Sequence, residues 1–175
     1  WQSRGPPHLH VKLWVRDAPV IGISPAEDKR AIEFVSRHIT CRLPDPNKEP
    51  TLHALVTTYQ MHTCTPGYCL KGSKTIANKT RRFCRAGFPR NITPTFKLNS
   101  IEKIIKAKAR HSPREFLIEL PRTELEIFIN EYNRDIFTCW EANMDIQFVN
   151  EISGSLNTYI CPYITKADIG STSAA

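Results

Sequence analysis

From Leu9 the chain alternates: Leu9, Val11, Leu13 and Val15 fall on one side of an extended backbone, and His8, His10 and Lys12 on the other. This period of two predicts a half-buried strand. On such a strand the two histidines share a face, roughly 7 Å apart at ~3.3 Å per residue, so both could reach one metal ion or one phosphate. In "ISPAEDKRAIEFVSRHI" the period lengthens to that of a helix. Ser24 is placed to cap it, Pro25 suits the first helical position, and Glu27 would complete a Ser-x-x-Glu capping box. Ile32, Val35 and Ile39 form the stripe to be buried.

"PDPNKEP" interrupts the pattern as a polar loop, and "LHALVTTYQM" predicts a short apolar helix. From Lys71 to Thr95 the chain is basic and punctuated by Gly and Pro, which predicts a loop held by something other than an apolar core. "PRTELEIFINEYNRDIF" predicts a second amphipathic helix with Leu125, Phe128, Ile129 and Tyr132 inward. "MDIQFV" predicts a strand with Asp145 and Gln147 opposite Ile146 and Phe148, and "LNTYICPYITKAD" a helix. The expected class is α+β: an antiparallel sheet carrying the histidines, flanking helices and an insertion. The divisions are residues 1–45 for the first strand and helix, 46–96 for the insertion, and 97–175 for the remainder.

The chain has 175 residues, 41% hydrophobic and 23% charged, which suits one domain with its own core. No run of about 18 apolar residues occurs, so no membrane-spanning segment is predicted. Charge changes the picture more. Lys and Arg number 24 against 17 Asp and Glu, a net charge of +7. From Lys71 to Arg110 twelve basic residues face a single acid, Glu102. A run of that kind attracts polyanions and points to nucleic acid. Arg81, Arg82, Arg85 and Arg90 are its candidate contacts.

Six cysteines could form three disulfides of a secreted protein, with "NKT" at Asn78 and "NIT" at Asn91 as glycosylation sites. No secretory leader opens the chain, and the cysteines cluster, which favours reduced thiols and a metal site. Cys64, Cys69 and Cys84 follow His62 in a Gly- and Pro-rich stretch poorly suited to burying them as core. Three thiolates and one imidazole are the soft set that structural Zn²⁺ takes in tetrahedral geometry. The fourth ligand is His62, with His53 as its competitor. Cys41, Cys139 and Cys161 are expected as core thiols.

Tyr159 and Tyr163 are four apart, so on a helix they share one face, with Lys166 on nearly the same side. A phenol can attack a phosphodiester when a bound cation polarises the phosphate. No GxxxxGKS/T loop and no Gly-rich dinucleotide motif occurs, which excludes those routes to nucleotide chemistry.

Taken in order, "WQSRGPPHLHVKLWV", "RLPDPNKEPTLHALVTTYQMHTCTPGYC", "RRFCRAGFPR", "EYNRDIFTCWEANMDIQFV" and "YICPYITKAD" resemble the Helitron helicase-like domain. That domain is the replication-initiator nuclease of eukaryotic rolling-circle transposons. The resemblance covers nearly the whole chain and implies an HUH-nuclease-like sheet. It implies that His8 and His10 are the paired histidines binding Mg²⁺ or Mn²⁺; two histidines leave the ion needing a third ligand, and of Asp145 and Gln147, which share one face of "MDIQFV", the resemblance favours Gln147. It likewise implies that Tyr159 and Tyr163 are the catalytic tyrosines, with Lys166 beside them, and that the Cys64, Cys69, Cys84 loop binds metal. The implied partners are single-stranded DNA and a Pif1-type helicase domain, and the implied location is the nucleus. The family's first motif, a strand upstream of the histidines, has no counterpart here, so a sheet short of one strand is expected. Pro162 lies between the tyrosines; a helix beginning near Asn157 or Thr158 would place it in or just past the first turn, where proline costs least. A zinc-stabilised DNA-binding module without catalysis is the alternative expectation.

Overall fold

The computed structural model describes residues 9–76, 79–100 and 117–149. Helix α1, Pro25–His38, begins as its residues dictate. Ser24 Oγ accepts from the Glu27 amide at 3.2 Å, and Pro25 occupies the first turn. Only half of the capping box forms, because the Glu27 carboxylate turns instead to the Val20 amide and to Arg30. Ala31 and Val35 are buried, and Ile39 is buried just beyond the helix end. They pack with Ile21, Cys41, Ile118 and Leu120, and the half-buried Ile146 and Phe148 close the cluster from the far end of the chain.

Helix α2, Pro50–Leu55, runs into a π-helical turn, Val56–Gln60. Strands β1, Leu70–Ile76, and β2, Lys79–Cys84, form an antiparallel hairpin in which Leu70 faces Cys84 and Thr75 faces Thr80. The loop expected over 71–95 is therefore partly a hairpin. Thr75, Ile76, Thr80 and Phe83 favour strand, and the cysteines at its root fix both ends. Strands β3, Lys97–Leu98, and β4, Ile118–Glu119, make a second antiparallel pair. After a 3₁₀ turn, Glu124–Glu126, helix α3 spans Arg134–Trp140. The class is α+β, with two small antiparallel pairs and three α-helices among the described residues, α1 packed in one apolar cluster and α2 and α3 in another.

The amphipathic helix expected through 121–137 does not form as one element. Its middle, residues 127–132, is pulled straight by backbone partners on two other segments. Thr40 and Tyr132 exchange both hydrogen bonds at 2.8 Å, while His62 donates to Phe128 O and Asn130 donates to Gln60 O. The Arg122 guanidinium also occupies the carbonyls of Glu126 (2.6 Å) and Ile129 (2.7 Å), acceptors a continuous helix would need. Asn133 then caps α3 through Ile136 N at 2.9 Å. Ile129 and Tyr132 are buried with Leu52, Val56 and Phe137, and Phe128 is half-buried, but Leu125 is 74% exposed.

Residues 9–15 depart further from expectation. They join no ladder among the described residues, and Leu9, Val11, Leu13 and Val15 are all exposed. Alternation makes a half-buried strand only when a neighbour takes its backbone groups and a layer covers one face. Residues 143–149 likewise join no ladder, yet their burial alternates as predicted, with Asp145 and Gln147 outward and Ile146 and Phe148 inward. Cys41 is a core thiol, pushed up to about 11 by burial, whereas Cys139 is exposed on α3. Residues facing solvent on so short a helix include most of its length, which is why Cys139 escapes the core. Cys161 lies outside the described residues.

Candidate metal centre

The ligand atoms of His62, Cys64, Cys69 and Cys84 lie within 4.8 Å of one another. Chain order explains how. The π-helical turn delivers His62, whose amide bonds Phe128 O at 2.8 Å. Thr65-Pro66-Gly67-Tyr68 then reverses direction between Cys64 and Cys69, with the amides of Tyr68, Cys69 and Leu70 all directed at Thr65 O. Gly67 sits at φ +80°, and a Cβ there would meet nothing within 4 Å. Glycine is thus needed for its backbone angle rather than for space. Cys69 directly precedes β1, and Cys84 closes β2 directly opposite Leu70.

The sulfurs already sit among polar partners, with Cys69 Sγ also donating to Thr65 O at 3.6 Å. Thr65 N donates to Cys69 Sγ at 3.0 Å, and Cys84 Sγ lies 3.3 Å from His62 Nε2. A tetrahedral zinc, at about 2.3 Å from sulfur and 2.0–2.1 Å from nitrogen, spaces its ligands roughly 3.5–3.8 Å apart. The cluster therefore fits a metal ion such as zinc with shifts of side chains alone. The ligands differ in their electrostatics, with Cys84 and His62 shifted toward their ligating forms and Cys64 away from its own. Burial works to raise the Cys84 thiol, but the backbone amides of Phe88 and Ala86, with the neighbouring thiols, outweigh it and hold Cys84 below its usual value. Cys64 is pushed up to about 11 by burial and by the adjacent Cys84 and Cys69. The His62 imidazole is lowered by burial and by Arg90, which keeps it neutral, the form that ligates.

Behind the ligands stands a stack. The Phe88 ring lies 4.3 Å from His62 and 13° from parallel, and the Arg90 guanidinium carbon is 4.1 Å from the Phe88 ring centre. Arg90 also donates to Ala86 O at 2.8 Å and pairs with Glu131 at 3.3 Å. Its side chain is only 5% exposed. Arg90 is thus a buried cation whose two terminal nitrogens donate to the carbonyls of Ala86 and Gly87, to Asn130 and to Glu131, which sets it apart from the exposed Arg85. Sequence periodicity missed this role, though an arginine directly after a Gly-Phe-Pro stretch that follows a ligand was the available signal.

The other expected site residues divide cleanly. His62 joins the cluster, whereas His53 is outside it and places Nδ1 2.7 Å from Pro44 O. Arg81 and Arg82 lie on β2, and Arg85 is exposed just beyond it. His10 is exposed, and among the described residues the metal-binding group does not include it. Gln147 is exposed and donates to Asp145 Oδ1 at 2.8 Å, so the two share a face. His8, Tyr159, Tyr163 and Lys166 lie outside the described residues. Reasoning from sequence also missed Gln60, buried and bonded to Met144 through both its amide atoms at 3.0 Å, which fastens residue 144 beside the π-helical turn.

No protein-family profile matches the chain, and no curated protein or solved structure matches it. No helix among the described residues is long and apolar enough to cross a membrane.

Proposed function

We propose that this chain is the single-stranded-DNA-processing domain of a Helitron-type rolling-circle initiator, organised by zinc. The observation that carries the reading is the placement of the metal cluster. Cys69 and Cys84 hold the two ends of a hairpin whose strands bear Lys71, Lys74, Lys79, Arg81 and Arg82. A metal clamp at the root of a cationic hairpin gives polyanion-binding residues a fixed base without a large core. In this reading the fold is of the HUH-nuclease type, and His8, His10 and Gln147 form a second site for Mg²⁺ or Mn²⁺. A divalent ion there would serve as Lewis acid and template for the phosphate. Tyr159 or Tyr163 attacks that phosphate, leaving a 5′-phosphotyrosine and a free 3′-OH, with Lys166 close by. The domain works in the nucleus, in series with a Pif1-type helicase.

The test is covalent capture. Zinc-loaded protein given single-stranded DNA and Mn²⁺ should yield an adduct that Tyr159→Phe and Tyr163→Phe together abolish. An adduct surviving both substitutions overturns the mechanism. A second reading, a DNA-binding module without catalysis, draws support from the exposure of His10 and Gln147 and from the absence of a ladder over 9–15 among the described residues. Salt-dependent binding with no adduct selects it. The affinity should fall with a slope of ~0.7 per phosphate contact on single strands.

A further inference from the structure

One aromatic ring of the metal corner faces outward. Tyr68 is 69% exposed, at the tip of the turn between two ligands, and belongs to none of the apolar clusters. The Arg85 guanidinium carbon lies 5.3 Å from the centre of its ring. Both residues are anchored at the backbone. Tyr68 N bonds Thr65 O at 3.3 Å, and Arg85 N bonds Cys69 O at 2.8 Å. Each is also the immediate neighbour of a ligand, Cys69 for Tyr68 and Cys84 for Arg85. Among the described residues no carboxylate pairs with the Arg85 guanidinium. The ring and the guanidinium are therefore held together by the backbone geometry of the metal site rather than by a core.

An exposed ring with a flat cation against it suits a ligand that is both planar and anionic, which is the chemistry of a nucleotide. A base in a duplex already has both faces stacked, so the partner is an unpaired base. We propose that Tyr68 and Arg85 form a stacking platform for one base of a single DNA strand, with Arg85 also meeting the adjoining phosphate. This rests on the single-strand reading above and adds to it a residue, Tyr68, outside the basic run. The strand's backbone would follow the cationic hairpin, and the platform would hold one base at its root.

The test uses the zinc-loaded full chain and an oligothymidylate, read by fluorescence anisotropy. Tyr68→Ala should weaken binding roughly 5- to 150-fold, the range for loss of one base–aromatic stack. It should leave zinc content at about one per chain. Tyr68→Phe should bind as the unsubstituted protein does, and Arg85→Lys should weaken binding although the charge is kept. The unsubstituted protein should bind a strand of abasic sites as weakly as Tyr68→Ala binds the intact strand. Equal binding of abasic and intact strands by the unsubstituted protein overturns the platform and leaves the single-strand reading standing. Thymidine monophosphate competing as well as the oligomer, or a duplex binding more tightly, also overturns it. Failure to bind any strand removes both readings. If Tyr68→Ala loses zinc, the abasic comparison on the unsubstituted protein still decides.

Discussion

At the root of the hairpin, His62, Cys64, Cys69 and Cys84 bring together segments far apart in the chain through soft ligand atoms. On the other side of Phe88, Arg90, Glu131 and Arg122 do the same with charge. Arg122 donates to Glu131 at 2.6 Å and Arg90 at 3.3 Å, and all three side chains are 6% exposed or less. The second group is tied by the chain alone: each carboxylate oxygen has a guanidinium, and the terminal nitrogens of the arginines also bond the carbonyls of Ala86, Glu126 and Ile129. The first group is four ligand atoms that could hold a metal ion such as zinc, beside a small apolar cluster of Phe88, Leu70, Ala86 and Phe128. One corner is thus tied by paired charges within the chain. The other would be tied by a metal ion and needs reduced thiols to take one. The His62–Phe88–Arg90 stack is where they meet, so the histidine's plane is set by the self-sufficient corner.

Metal removal should break the comparison most sharply. Structural zinc contributes about 10–16 kcal/mol of apparent binding energy in small zinc domains, so chelation should melt the hairpin root. Amide exchange at Arg85, Cys69 and Leu70 should accelerate, while Ile39 and Tyr132, bonded to Val35 O and Thr40 O, keep their protection. Uniform loss of protection would show that the two corners are one cooperative unit.

Glu131→Ala probes the other corner. It strands two buried guanidinium groups and should cost about 3–5 kcal/mol in denaturant unfolding, with zinc content retained. Loss of zinc alongside would mean that the stack transmits more than ring orientation.

Glu126 gives a smaller effect with a pH signature. Burial works against its carboxylate, but the Thr123 amide and hydroxyl, Arg42 and the Leu43 amide outweigh it and hold Glu126 below the ordinary value of 4.5. A carboxylate lowered in the folded state stabilises fully above its unfolded value, and that stability is lost as pH falls through the folded one. Glu126→Gln should cost about 1.5–3 kcal/mol near neutrality and flatten the acid limb of the stability profile. An unchanged limb would place the acid sensitivity elsewhere. The smallest change is Ser24→Ala, which removes the cap bond to Glu27 and should cost about 1 kcal/mol with no effect on metal or DNA.

What the sequence determined by itself was local or spaced along one segment. Ser24 and Pro25 start α1 because capping and a fixed φ act within one turn, and Val35 faces the core because 3.6-residue periodicity does not depend on what lies opposite. The cysteine spacing announced soft ligands because few other uses suit three thiols in a Gly- and Pro-rich stretch. The tertiary structure decided what depends on remote partners. Thr40 and Gln60 straighten the segment 127–132 that its own periodicity would have coiled, because interstrand bonds and the Arg122 guanidinium claim its backbone groups. His62, and not His53, is brought beside the three cysteines by the bond of its amide to Phe128 O. Arg90 reads as one more cation of a basic run, yet Glu131, forty-one residues on, makes it a core residue. Residues 9–15 alternate as a strand should, and lack among the described residues the neighbour that would make them one. A side chain's chemistry is written in the sequence, but whether it meets water, a carboxylate or a metal is set by which distant segment folds against it.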